Sequence, residues 1–377
     1  MGSEEKKIRV MVVEDSAYMR YVLSEILSGE PGMEVVEKAR DGMDALEKLH
    51  SAVPDVITLD VQMPRMDGLT FLAELRKNYR IPTIMISSLT HEGAEDTMRA
   101  LELGAIDFVP KPSGGTTSLT LDDIRPMLVE KVRMAALIKP IVMKSIVSDT
   151  LEREREEDRK NEVGIQPLPR VKPPSELILK KTPEERRTLV LKKVVAIGCS
   201  TGGPRALTEV VKKLPGDLNA GIIVVQHMPQ RFTTSLAERL NEISEIEVHE
   251  AKNGDKVMPG VVYIAPGDYH IQVGRSDTIY LNQDPHCHGV RPSVDVMMKS
   301  VAKQYGSKSV GVVMTGMGVD GRDGTTDIKN AGGTVFAEHE STCVVYGMPR
   351  VVVESGNADR VLILPRIADE LVKFIEK

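Results

Sequence analysis

The chain has 377 residues, 41% of them hydrophobic, with a formal net charge of −6 and three cysteines. That length gives room for two ordinary domains and a linker. The acidic balance argues against nucleic acid or anionic lipid as the main partner, no stretch is apolar for the length of a membrane span, and Cys199, Cys287 and Cys343 show neither a disulfide framework nor a C-x-x-C metal spacing. Met1 to Lys7 is polar and the apolar run Ile8 to Val13 is too short for a signal sequence, so a cytoplasmic protein with no membrane insertion of its own is expected.

Ile8 to Val13 reads as a strand buried on both faces, ending in Glu14-Asp15. Ser16 to Leu27 places Met19, Val22, Leu23, Ile26 and Leu27 on one helical stripe. A short strand is expected over Glu34 to Glu37, and Asp41 can cap a helix carrying Ala45, Leu46 and Leu49. Further strands over Asp55 to Leu59, Ile81 to Ile86 and Ala105 to Val109 run into Asp60, Ser87-Ser88 and Lys111. Helical patterns separate these strands, which predicts a doubly wound α/β sheet whose chemistry gathers at the carboxyl ends of the strands. Glu14, Asp15, Asp60, Ser87 and Lys111 all fall there. Taken singly, each would be a solvated loop residue. Together, three crowded carboxylates call for a hard cation such as Mg²⁺, and a carboxylate beside Mg²⁺ and a lysine can attack a phosphoryl donor.

On these residues the stretch from about 8 to 125 resembles the receiver domain of bacterial two-component response regulators, a flavodoxin-like fold. The resemblance implies that Glu14-Asp15 is the acidic pair, Asp60 the phosphoacceptor, and the Gln62 carbonyl a further Mg²⁺ ligand. It implies Ser87 and Phe108 as switch residues, and Lys111 as the lysine preceding a cis bond to Pro112. A histidine kinase would phosphorylate Asp60, adding charge and acceptor oxygens. That would move Ser87 and Phe108 and change the face toward an output domain.

Leu121 to Leu137 keeps helical periodicity and closes this half at about residue 138. The run Leu151 to Lys160 has mixed charge and almost no apolar residue, and prolines at 167, 169, 173, 174 and 183 forbid long regular structure, so a tether is expected over about 140–188.

The second half, about 189–377, opens on the apolar run Val194 to Ile197 and the turn Gly198-Cys199-Ser200-Thr201-Gly202, followed by a helix from Pro204 to Leu214. The turn fits G-x-S-x-G, which lifts a nucleophilic hydroxyl to a sheet edge; the plainer reading is a strand-to-helix turn or an anion-binding loop. Gly221 to Gln226 reads as a second buried strand, leading into His227. Helices are expected over Arg231 to Ile243, Ser293 to Tyr305 and Ile367 to Ile375, and strands over Ser309 to Met314 and Thr334 to Ala337. Val261 to Gly267 and Ile271 to Leu281 alternate around turn residues and suggest antiparallel edge strands.

Ser200, His227 and Asp320 thus each follow an apolar strand. They are the three residue types that ester hydrolysis needs as nucleophile, base and orienting acid, and the N–H groups of Thr201 and Met317 can hold an oxyanion. His227 alone would be a structural histidine, and Asp320 alone a helix cap. Their order, serine, histidine, aspartate, departs from that of the α/β-hydrolases. Two rivals remain. Gly316 to Gly321 is a G-x-G-x-x-G after a strand, with Glu338 where a dinucleotide site expects an acid. His286, Cys287 and His288 offer metal ligands without an evident third partner.

This half resembles the catalytic domain of the chemotaxis protein-glutamate methylesterases, the CheB family. The resemblance rests on Ile197 to Gly203, Gln226 to Pro229, Arg291 to Asp295 and Met314 to Gly321, with Cys199 where the family usually has alanine. It implies a mainly parallel α/β domain with no cofactor at the hydrolase site, and a phosphorylation-activated serine hydrolase acting on chemoreceptor glutamate methyl esters and glutamines. A receiver carrying a nucleotide-binding or DNA-binding output, or a signalling adaptor, is the alternative; a DNA-binding output would need a helix-turn-helix and a basic face.

Overall fold

The computed structural model describes residues 7–51, 53–112, 120–138, 180, 182 and 188–377. The expected tether at 140–188 therefore lies almost wholly outside the described residues.

In the N-terminal unit β1 (Ile8–Val13), β2 (Met33–Ala39), β3 (Val56–Asp60), β4 (Thr83–Ser87) and β5 (Asp107–Pro110) form one parallel sheet in the order β2-β1-β3-β4-β5. Helices α1 (Ala17–Ser28), α2 (Gly42–Leu49), α3 (Gly68–Asn78), α4 (His91–Glu102) and α5 (Leu121–Leu137) connect and flank it. Each helix starts where a short polar side chain can accept an orphan amide three residues on. Ser16, Asp41, Asp67, Thr90 and Thr120 accept the N–H groups of Met19, Asp44, Thr70, Gly93 and Asp123. A cap of this kind stabilises by about 1 kcal/mol. Strands β3 and β4 are buried along their whole length, as apolar runs covered on both faces require. The bond from Lys111 to Pro112 is trans, against the expectation from the resemblance; among the described residues the cis bond is Arg291–Pro292. Lys111 reaches the carboxylates named below with its trans bond.

The C-terminal unit is built on a second, seven-stranded sheet in the order β14-β13-β12-β6-β7-β9-β8. Its strands are β6 (Lys193–Cys199), β7 (Ala220–Gln226), β8 (Glu247–Glu250), β9 (Val261–Ile264), β12 (Ser309–Val313), β13 (Thr334–Glu338) and β14 (Arg360–Leu362), all paired parallel. Around it lie α6 (Gly203–Val211), α7 (Phe232–Ile243), α8 (Val294–Tyr305), α9 (Arg322–Asn330), α10 (Met348–Glu354) and α11 (Leu364–Glu376). The antiparallel reading holds for β10 (His270–Val273) and β11 (Ile279–Asn282), which pair as a separate hairpin. It fails for β9. Val261 to Ile264 is buried at every position and lies between two parallel neighbours, so its unbroken apolar run outweighs the turn residues that follow. Strands β8 and β14 were not expected. Both sit at sheet edges, where one missing neighbour permits the polar composition Glu-Val-His-Glu and Arg-Val-Leu.

The two units touch along α4 and β5 on one side and α6, α7 and the loop before α6 on the other. The rings of Phe108 and Phe232 stack with centroids 4.3 Å apart. Thr201 Oγ1 donates to Asp107 Oδ2 at 2.7 Å, and Lys131 Nζ holds Asp107 Oδ1 at 2.7 Å. Arg239 makes a two-pronged contact to Glu102, at 2.6 and 3.1 Å, and Arg231 donates to the Leu89 carbonyl at 2.8 Å. The stacked rings join a buried cluster that runs through both units.

Candidate active site

The register of the second sheet brings Ser200 and His227 together. Cys199 of β6 lies opposite Gln226 of β7, so the next residues, Ser200 and His227, leave the sheet side by side, and the His227 N–H donates to the Cys199 carbonyl at 3.1 Å. On the other flank Ser200 N–H donates to the Thr315 carbonyl at 3.0 Å, which ties the serine to the loop after β12. The backbones approach so closely that a Cβ on Gly316 would lie 2.9 Å from the Ser200 Cβ and N, and Gly202 takes φ +78° to start α6. Buried Gln226 braces both sides, its amide donating to the carbonyls of Ser200 (2.9 Å) and His227 (3.1 Å).

His227 Nε2 lies 2.8 Å from Asp320 Oδ2. Asp320 is 2% exposed, and its oxygens are saturated. Oδ2 also accepts the Val294 N–H at 2.7 Å, and Oδ1 accepts the Ser293 hydroxyl at 2.8 Å and the Asp295 N–H at 2.9 Å. Burial alone would push this carboxyl up, but His227 and the amides of Asp295 and Val294 outweigh it and hold the group below the usual carboxylate range. Among the described residues, His227 Nδ1 has no hydrogen-bond partner, the Ser200 hydroxyl makes no bond to His227, and the N–H groups of Thr201 and Met317 donate to nothing within the chain. Two bare amides beside a serine, next to an imidazole with one nitrogen free, can stabilise an oxyanion and accept a proton.

The rival readings sit differently. Glu338 is fully buried, accepts the Thr315 N–H at 2.8 Å, and is pushed up by burial. It braces the loop under Ser200 and does not face an open nucleotide site. Sequence reasoning gave no role to Gln226, Ser293, Asp295 or Asp107. The first three stand in stretches that carried the family resemblance, which was their one signal. Asp107 gains its contact to Thr201 from packing between the two units.

At the carboxyl edge of the first sheet, Glu14, Asp15 and Asp60 each offer a carboxylate oxygen within 4.8 Å of the others. Lys111 Nζ lies 2.7 Å from Asp60 Oδ2 and 3.0 Å from Glu14 Oε1. Burial, reinforced by the charge of Asp60 and opposed by Lys111, pushes Glu14 up to about 7, and burial also raises Asp60 against the pull of Lys111. Glu14 Oε2 is buried with no hydrogen-bond partner among the described residues. An all-oxygen cluster with excess negative charge and an orphan carboxylate oxygen fits a small hard dication. The backbone amide of Gln62 also pulls Asp60 down, against its burial. Ser87 is turned away from Asp60, donating to the Gly93 carbonyl at 2.9 Å and accepting from Thr97 Oγ1 at 2.6 Å. Phe108 is buried in the stack with Phe232.

Comparison with known proteins bears on both sites. The response regulator receiver domain matches residues 10–120, and the CheB methylesterase family matches residues 195–371. The chain is 48% identical over 372 residues to the protein-glutamate methylesterase/protein-glutamine glutaminase of Symbiobacterium thermophilum, covering 98% of each. It is 43% identical over 374 residues to the protein of that name from Pyrococcus abyssi, covering 98% of this chain and 94% of the other. The crystal structure of the Thermotoga maritima CheB methylesterase catalytic domain is 46% identical, covers 49% of this chain and 100% of its own, and has a TM-score of 0.48. With a receiver domain ahead of a methylesterase domain and near-half identity over almost its full length, the chain belongs to the CheB family of protein-glutamate methylesterases/protein-glutamine glutaminases.

Proposed function

We propose that this chain removes methyl groups from glutamate esters, and ammonia from glutamine side chains, on chemoreceptors, and that phosphorylation of Asp60 activates it. The observation that carries the reading is the His227–Asp320 pair at 2.8 Å, one sheet position from Ser200. Asp320 keeps Nε2 protonated and leaves Nδ1 to take the Ser200 proton. The Ser200 oxygen attacks the ester carbonyl, and charge gathers on the carbonyl oxygen, where the Thr201 and Met317 N–H groups donate to it. The carbon–methoxy bond then breaks as the departing oxygen takes the proton from Nδ1 and leaves as methanol, and water repeats the sequence on the acyl-enzyme. An amide passes through the same tetrahedral stage and loses ammonia. With the hydroxyl removed, Ser200→Ala lowers methanol release from methylated receptor by about 10⁴–10⁶; a rate near that of the unaltered chain contradicts the assignment.

The receiver reading is part of the same proposal. Glu14, Asp15 and Asp60 with the Gln62 carbonyl hold Mg²⁺, which when bound offsets the charge of incoming phosphoryl oxygens. The Asp60 carboxylate attacks the phosphorus of the donor, a histidine kinase, while Lys111 steadies the new charge. To reach that phosphoryl group Ser87 must leave Gly93 and Thr97. Metal binding requires Glu14 ionised, whereas in the metal-free protein this group holds its proton below about pH 7. Mg²⁺ affinity is therefore expected to fall as pH drops through 7, by about tenfold per unit well below it, with proton release on binding. Calorimetry in buffers of different ionisation enthalpy measures both. Affinity that stays flat through this range, or binding without proton release, counts against the site.

Occlusion of the hydrolase by the unphosphorylated receiver is supported by the contact between Asp107 and Thr201, the residue after the nucleophile. Phe108, next on the same strand, packs on α7. An aromatic stack contributes about 0.5–1.5 kcal/mol beyond its burial. Phe108→Ala and Asp107→Ala should each raise turnover without phosphodonor by about 2–10-fold and narrow the gap to the phosphorylated rate. Unchanged or lower basal turnover in both would contradict occlusion.

A further inference from the structure

A second imidazole–carboxylate pair lies beside the first. His288 and Gly289 both have positive φ, 54° and 77°, and Cys287 and Val290 exchange two backbone hydrogen bonds at 3.1 and 3.0 Å. This is the two-residue turn that ordinarily takes Asn-Gly. A histidine there holds the left-handed backbone that glycine and asparagine adopt more readily. Its Nε2 lies 2.8 Å from Asp295 Oδ2, and Asp295 Oδ1 is fixed by the N–H groups of Gly321 (2.9 Å) and Gly324 (2.6 Å). Cys287 Sγ, a ring nitrogen of His288 and an Asp295 oxygen all fall within 4.8 Å of one another. The histidine–cysteine run lacked a third ligand in the sequence; Asp295, on α8, supplies it. The hydrolase mechanism uses neither Cys287 nor His288.

We propose that Cys287, His288 and Asp295 form a binding site for a thiophilic divalent cation of the Zn²⁺ class, and that its occupancy depresses hydrolysis at the neighbouring Asp320. The ligand set is soft thiolate, imidazole and carboxylate, the chemistry that selects such a cation over Mg²⁺. Burial and the charges of Asp320, Asp295 and Asp323 keep the Cys287 thiol protonated, and the same three carboxylates favour a dication. On binding, the Sγ–metal bond forms as the thiol proton passes to solvent. The imidazole proton moves to Nδ1 so that Nε2 offers its lone pair, and the cation replaces the proton between His288 and Asp295. That requires the 2.8 Å gap to open to about 3.3 Å, the spacing of two ligands on tetrahedral Zn²⁺. The two glycine amides on Asp295 Oδ1 hold the ligand in place. Three protein ligands leave a fourth position for water.

The link to the hydrolase is short. Asp295 N–H donates to Asp320 Oδ1, and Gly321, which follows Asp320, donates to Asp295. A dication there offsets the negative charge with which Asp320 stabilises the imidazolium formed when Ser200 loses its proton. This inhibitory half rests on the hydrolase reading above; the binding half does not.

The test uses the full chain with Mg²⁺ in excess, and Co²⁺ as the spectroscopic probe. Cys199 and Cys343 are buried, so a thiolate-to-Co²⁺ charge-transfer band reports Cys287. The band should saturate at one equivalent while hydrolysis falls about tenfold, the scale on which disturbing a residue that orients a site acts, and a chelator should restore it. Ser200→Ala should keep the band without turnover, which separates this site from the hydrolase assignment. Cys287→Ser and His288→Asn, the latter chosen because asparagine tolerates the turn, should lose band and inhibition together and keep their metal-free turnover. Absence of the band in the unaltered chain, or its persistence in Cys287→Ser, overturns the site. A band with undiminished hydrolysis overturns the inhibition.

Discussion

A carboxylate taken out of water must have its lone pairs satisfied, and Asp320 has four donors: the His227 ring, the Ser293 hydroxyl and the amides of Val294 and Asp295. Three of these come from Ser293 and the first turn of α8, where exposed N–H groups and the helix dipole favour negative charge. The imidazole is thereby oriented by an acid that cannot turn. The loop after β12, the start of α8 and the end of β7 are locked to one another through this single group. Moving any of them moves His227 relative to Ser200.

Ser200, the proposed nucleophile, is placed by a different device. Ser200 is held between β7 and the loop after β12 through its backbone, with Gly316 permitting the approach, the Gln226 amide donating to its carbonyl and Glu338 bracing the loop. Among the described residues its side chain makes no hydrogen bond. The adjacent Thr201 hydroxyl is taken by Asp107 of the first sheet. Asp107 and Phe108 are consecutive residues of β5, so one addresses the serine loop and the next packs on α7. A small shift of one strand thus reaches both the Ser200 loop and α7, which would give the proposed phosphorylation of Asp60 a short mechanical route.

Much of this was legible in the sequence because buried parallel strands are apolar along their length and chemistry collects where they end. Ser200, His227, Asp320, Glu14, Asp60 and Lys111 could all be located by that rule. The pairing of His227 with Asp320 could be expected from residue type, but not which ring nitrogen takes part. What stayed hidden depends on packing across large separations in the chain. The role of Asp107 exists only because the two units meet, and Asp295 joins His288 only because α8 folds under the hairpin turn. Strand β9 was misread since turn residues beside an apolar run suggest an edge, and burial on both sides is a tertiary fact. The edge strands β8 and β14 carry too few apolar residues to announce themselves.

The central claim is that the Ser200 hydroxyl is the reacting group and that the receiver controls access to it. A serine-reactive phosphonate, applied to the full chain with and without a small acyl phosphate and followed by peptide mass spectrometry, measures both at once. The account predicts modification confined to Ser200 and faster when the acyl phosphate is present. Labelling at another residue, or labelling of Ser200 at a rate indifferent to the phosphodonor, would contradict it.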